Sequence, residues 1–192
     1  MDDMTLKMLQ MLDGCEDVEN SVAEIYHFFA DHFRDNAEIS LFWRRTALEE
    51  ENHARQVKLA KKTKDSIVWV SIEVWRQVFV VRKQLRDTLE RIRQSPPSLE
   101  EALIFSIASE EQIDHLHMTN AILMKEKSGN ELFAAMMNED REHALWFKDA
   151  LRQLQAAKRK SIIPSAAAKI TTVAGESTSN FDPRSAYTFD LI

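Results

Sequence analysis

Helix breakers are scarce in this chain. Among 192 residues there are three glycines (Gly14, Gly129, Gly175) and four prolines (Pro96, Pro97, Pro164, Pro183), and none falls between Gly14 and Pro96. Glycine costs about 1 kcal/mol and proline about 3 kcal/mol in a helix interior relative to alanine, so long runs without them, rich in Leu, Ala, Glu, Lys, Arg and Met, favour uninterrupted helix. An all-α fold is the expectation. A chain of 22.2 kDa is long enough to bury one substantial core and short for two.

Apolar residues recurring at helical spacing place the elements. A first helix is predicted over about 4–34, with Gly14 and Cys15 as a weak point, and a second over about 37–63. A third covers about 67–94 and stops at the "SPPS" of 95–98, since the residue before a proline avoids helical dihedrals. Ser98, with Glu101 three residues on, forms a capping-box pattern that opens a fourth helix. That helix is expected to end near Gly129, and Asn130 to cap a fifth that runs to about 160. Residues 1–160 thus form the helical domain. Residues 161–192, rich in Ser, Thr, Ala, Gly and Pro without a sustained period, are an irregular tail.

Composition removes several function classes. The net charge of −6 comes from interleaved signs, which gives no footprint for nucleic acid or an acidic membrane. The most apolar stretch, 66–81, contains Glu73, Arg76 and Gln77 and is shorter than the ~20 residues of a membrane span. A single cysteine, Cys15, excludes an intramolecular disulfide and a four-cysteine metal site. The first residues lack the pattern of a signal peptide, and a cytoplasmic location is expected.

A repeat runs through the helices. Glu19 precedes Leu41 by 22 positions, as Glu110 precedes Leu132, and each "LF" leads into a charged cluster ending in "HA". Two similar helical hairpins joined by a long connection, residues 67–94, imply a four-helix bundle with pseudo-two-fold symmetry. Residues three or four apart share a helix face. Glu19 therefore lies in line with Ala23, Tyr26, Ala30 and Phe33. Glu50 and His53 lie with Trp43, Ala47, Val57 and Ala60, whereas Glu49, Glu51, Arg55 and Lys58 occupy other faces. Glu110 shares a stripe with Leu103, Ile107, Ile113 and His117, and His143 shares one with Met136, Trp146 and Ala150.

A carboxylate turned into an apolar bundle costs several kcal/mol unless it is neutralised, paired or bound to a cation. Several of them beside two histidines, with no matching inward Lys or Arg, point to a metal. Mixed carboxylate and imidazole donors suit iron or manganese better than calcium or structural zinc. His27, His32 and His115 read as surface or hydrogen-bonded residues; His117, on the inward stripe of the fourth helix at the repeat position of Tyr26, reads as stripe packing, with a place behind the ligands as the lesser alternative. Asp114 is an extra candidate carboxylate. Cys15, Trp69, Trp75, Met136 and Met137 read as packing.

Taken together, Glu19, the Glu50-Glu51-Asn52-His53 run, Glu110 and "NEDREH" resemble the ferritin-like di-iron carboxylate proteins, and among them the rubrerythrin-like branch, over about residues 4–157. The resemblance implies a ferritin-like bundle in which the third helix is the long crossover. It implies two iron ions, with manganese or zinc as substitutes, held by Glu19 and Glu110 as terminal ligands, Glu50 as a bridge, and His53 and His143 as one imidazole each. Either Glu139 or Asp140 completes the set: position 140 keeps the family spacing to His143, and position 139 keeps the side-chain length. Tyr26 resembles the tyrosine that such proteins place near the metals, and with Glu50 it is the expected catalytic residue. Rubrerythrins tend to carry a second glutamate where this chain has Ile113. The implied activity is peroxide reduction or Fe(II) oxidation, with hydrogen peroxide or dioxygen as substrate, a separate electron-donor protein and a homodimeric state. Iron storage or delivery, and a metal-free interaction scaffold, are the competing expectations.

Overall fold

A computed structural model of the chain describes residues 3–62, 72–123 and 127–166. Among these residues every regular element is a helix: α1 (Asp3–His32), α2 (Ala37–Ala60), α3 (Ile72–Gln94), α4 (Leu99–Leu123) and α5 (Lys127–Ala166). The expected all-helical class is therefore observed. None of the described helices is long and apolar enough to cross a membrane.

Local chemistry explains most of the boundaries. The Asn36 side chain accepts a hydrogen bond from the Ile39 backbone N–H at 3.3 Å and so caps α2. At the start of α4 the Ser98 backbone N–H donates to Glu101 Oε2 at 2.8 Å, and the Glu101 N–H donates to Ser98 Oγ at 3.3 Å, which is the reciprocal box its sequence predicts.

Two boundaries differ from expectation. Gly129 and Asn130 lie inside α5, not at a cap, because α5 already begins at Lys127. In a helix of 40 residues the cost of about 1 kcal/mol for one glycine near the end is easily absorbed. The same helix passes residue 160 and reaches Ala166, carried on by the good helix formers Lys158, Arg159 and Lys160. The tail from 167, the segment 67–71 and Trp69 fall outside the described residues.

Gly14 does not interrupt α1. It is a point of close approach instead: an ideal Cβ at this position would stand 2.5 Å from Val78 Cγ1. The absent side chain lets α3 come down onto α1 with Val74, Val78, Val81, Leu85, Leu89 and Ile92 buried along one stripe.

α1 packs along α2 and α4 along α5, giving two hairpins; α3 lies mainly against α1. Aromatic rings knit them together. Phe29 of α1 meets Trp43 of α2 at 5.2 Å and Phe105 of α4 edge-on at 5.9 Å, and Tyr26 meets Phe147 of α5 at 5.6 Å. The Trp43 indole N–H donates to Ser106 Oγ at 3.0 Å, which satisfies the only polar atom of a fully buried ring. Met136 is core, and Trp75 packs partly buried against it, as expected of packing residues.

Candidate metal centre

Between the two hairpins the core turns polar. Glu19 of α1, Glu50 of α2, Glu110 of α4 and Asp140 of α5 are wholly buried, together with His53, His117 and His143. One carboxylate comes from each of four helices.

The helical spacing positions them. On α2 the neighbours Ala47, Ala54 and Val57 are buried with Glu50 and His53, while Glu49 and Glu51 stand about one-third exposed. Of the three adjacent glutamates only the middle one enters the core. The i, i+3 offset then brings His53 Nδ1 to 3.0 Å from Glu50 Oε2.

Two donor groups result. Glu19, Glu50 and His53 each offer an atom within 4.8 Å of the others, and so do Glu50, Glu110, Asp140 and His143. Glu50 belongs to both. Its Oε2 faces His53 Nδ1 at 3.0 Å and its Oε1 faces His143 Nδ1 at 3.3 Å. His53 Nδ1 lies 3.8 Å from Glu19 Oε2 and 4.0 Å from Asp140 Oδ1, and His143 Nδ1 lies 3.5 Å from Glu110 Oε2.

Hydrogen bonding divides each buried acid into an occupied oxygen and an idle one. Glu110 Oε1 accepts from the Tyr26 hydroxyl at 2.5 Å, Glu19 Oε1 pairs with His117 Nε2 at 2.9 Å, and Asp140 Oδ2 pairs with His117 Nδ1 at 2.7 Å. The remaining atoms, Glu19 Oε2, Glu50 Oε1, Glu110 Oε2, Asp140 Oδ1 and His143 Nδ1, are buried and make no hydrogen bond. Leaving one such atom without a partner costs about 1–3 kcal/mol, more if charged. Five at one place fit a bound cation, and oxygen with imidazole nitrogen suits a transition metal. Among the described residues no lysine or arginine pairs with any of these four acids.

Protonation reflects the crowding. Burial and the nearby Glu50 charge push Glu110 up to about 8. Burial, with the charges of Glu50 and Glu19, raises Asp140 to about 6 against the pull of His117. Burial works against the charged form of Glu50, but the imidazoles of His143 and His53 outweigh it and hold this acid well below the usual carboxylate range. Burial would lower the histidines too. Glu19 and Glu50 instead lift His53 to about 12, Glu110 and Glu50 lift His143 to about 11, and Glu19 and Asp140 lift His117 to about 10. Burial and Glu110 raise the Tyr26 hydroxyl above its ordinary value. Crowded into a low-dielectric site, Glu110, Asp140 and the three histidines hold on to protons that a metal would displace.

The structure separates the two α5 candidates. Asp140 is inside the cluster, whereas Glu139 is half exposed and accepts from the far side of His53, its Oε2 2.9 Å from Nε2. Glu49 does the same for His143, Oε2 to Nε2 at 2.8 Å. Its position on an outer face of α2 is as the spacing predicts, but its grip on a histidine of α5 is not foreseen by that spacing. One signal was available in the sequence: each repeat carries acid-acid-x-x-His, Glu49-Glu50-x-x-His53 and Glu139-Asp140-x-x-His143. In both copies the second acid turns inward and the first reaches the histidine of the other copy.

Other candidates lie apart from the centre. His27 pairs with Glu51 at 3.0 Å near the surface, His32 stacks on Phe28, and His115 is exposed. Asp114 faces Arg141 Nε at 2.9 Å and is not part of the cluster. Cys15 is buried one turn before Glu19. Ile113, where a further glutamate would stand in a rubrerythrin, is core. Comparison with family models, curated proteins and solved structures gives no match to this chain.

Proposed function

We propose that the chain is a rubrerythrin-like, ferritin-like di-iron protein that reduces hydrogen peroxide or oxidises Fe(II). The observation that carries this reading is the sharing of Glu50 between two buried donor groups, one with Glu19 and His53, the other with Glu110, Asp140 and His143. A single cation would leave one group unserved, whereas two cations, with Glu50 available to both, would serve each group. Its support also includes the two hairpins that the repeat in the sequence anticipates.

Glu19 and His53 would hold one ion, and Glu110, Asp140 and His143 the other, with Glu50 between. Two iron ions so held would supply two electrons by passing from Fe(II) to Fe(III), enough to take hydrogen peroxide and two protons to two water molecules. The chain's own part is to exclude bulk water and to place protons. The Tyr26 hydroxyl carries a proton directed at Glu110 Oε1, and its raised pKa keeps it there at neutral pH. Glu49 and Glu139, fixed on Nε2 of His143 and His53, would keep the proton on Nε2 when a metal displaces the one on Nδ1, leaving Nδ1 free to face inward as a donor atom for the ion. The single cysteine of these 192 residues cannot build a rubredoxin-type iron site, and a separate electron-donor protein is the proposed source of the returning electrons. A homodimer is the proposed assembly.

Metal analysis of protein produced in iron-rich medium tests the reading. About two ions per chain are expected, with peroxide consumption in the presence of a reductant and loss of both in Glu50→Ala. A folded product that takes up no iron or manganese at micromolar concentration would overturn it and leave a helical scaffold. A large shell in place of a dimer would favour storage.

A further inference from the structure

The two hairpins do not contribute equally to the centre. By position in the repeat, Tyr26 stands seven residues after Glu19 and His117 seven after Glu110, and each reaches across to the other hairpin's acid. Tyr26 has one hydroxyl and holds one carboxylate oxygen, Glu110 Oε1, with a longer contact to the Ser106 carbonyl at 3.4 Å. His117 has two ring nitrogens and holds two: Glu19 Oε1 at 2.9 Å and Asp140 Oδ2 at 2.7 Å. The imidazole is wholly buried, packed against Phe133 at 5.8 Å and edge-on to His53 at 6.1 Å, so it is fixed in this bifunctional pose.

The acids on the paired helices are consequently unlike. Glu50 keeps both oxygens directed at the inward nitrogens of His53 and His143. Asp140 has spent one oxygen on His117 and keeps only Oδ1, which has no hydrogen-bond partner. Its side chain is also one methylene shorter than that of a glutamate, which limits how far the remaining oxygen can reach. We propose that His117 is a positioning residue that restricts Asp140 to a single metal-facing oxygen, so that the centre is bridged by one carboxylate, Glu50, and not by two. This rests on the di-metal reading above. It makes the centre lopsided, with the outer partner of one acid setting how many oxygens that acid can offer.

Full-length protein loaded with Mn(II) alone decides the matter. A crystal structure should show two ions, Glu50 spanning them, Asp140 on one ion through Oδ1, and Oδ2 still on His117. In solution the electron paramagnetic resonance spectrum should be that of a weakly coupled Mn(II) pair. His117→Phe keeps ring volume but frees Asp140 Oδ2; the ion count should be unchanged and the spectrum should shift toward stronger coupling. Added imidazole should restore the original spectrum in His117→Gly. Asp140 spanning both ions, His117 itself on a metal, or a His117→Phe spectrum identical to that of the parent would overturn the proposal while leaving two bound ions. Failure of the parent protein to bind Mn(II) would instead sink the di-metal reading. If neither variant folds, the carboxylate modes in the parent structure decide alone.

Discussion

At the scale of single residues, the outer glutamates are the most informative part of the centre. Glu49 and Glu139 are solvent-accessible, yet each holds Nε2 of a buried histidine from the opposite hairpin. Partners of this kind fix ring orientation and donor strength, and their removal typically weakens metal binding 10–100-fold. Glu49→Ala and Glu139→Ala should each raise the Mn(II) dissociation constant by about that factor without changing the ion count, as read by calorimetric titration. Glu51→Ala, which removes only the surface pairs with His27 and Arg55, should change it less than about twofold. Glu19, Glu50 and Glu110 are legible from spacing as inward acids because an acid on an apolar stripe contradicts its neighbours; on α5 spacing leaves Glu139 and Asp140 as alternatives, and it is Asp140 that is buried. The grip of Glu49 and Glu139 on the outer nitrogen of a histidine is not legible, since an acid on a polar face is ordinary, and the histidine that makes it special is dozens of positions away.

At the scale of elements, periodicity and caps recover the five helices, because long runs of good helix formers leave little else to form. The Ser98–Glu101 box is readable for the same reason: its chemistry is confined to four consecutive residues. Gly129 misleads, since a glycine signals a helix end only when the chain has cause to stop there. Gly14 is a further case in which the role is tertiary. Alanine should favour an α-helix interior by about 1 kcal/mol over glycine. Here the new methyl meets Val78 Cγ1, a stiff β-branched side chain, and overpacking of this kind costs about 1–3 kcal/mol. Gly14→Ala should therefore lower stability in denaturant unfolding, and the same change in a Val78→Ala background should be neutral or stabilising by up to ~1 kcal/mol. Equal destabilisation in both backgrounds would show that α3 does not rest on this point of α1.

At the scale of the whole molecule, the centre sets opposite pH trends with and without metal. Glu110 at about 8 and Asp140 at about 6 lie above their ordinary values, and so do His53, His143 and His117 at about 12, 11 and 10. A group whose folded pKa is raised lends stability that is complete below its unfolded pKa and lost as pH climbs through the folded one. Chelator-treated protein should thus lose Tm steadily from about pH 6 to pH 10. Glu50, held low, acts on the other side, lending stability above its unfolded value near 4.5 that is lost in stronger acid. Metal binding needs these protons gone, so affinity for Mn(II) should rise over the range in which the chelated protein weakens. At 100 times the dissociation constant the ion adds about 2.7 kcal/mol, and the two melting curves should diverge with pH. Parallel curves would mean that the buried acids and histidines are not the metal's donors.

The crossed ties of Tyr26 to Glu110 and of His117 to Glu19 also bear on how such a chain can diversify. Each hairpin completes its neighbour's chemistry, so the two similarly spaced halves of the molecule are not interchangeable parts. A chain with two first hairpins would place a tyrosine where His117 now serves two acids, and would have no imidazole to steady either of them. A change at either crossed tie is answerable only by a matching change in the other half.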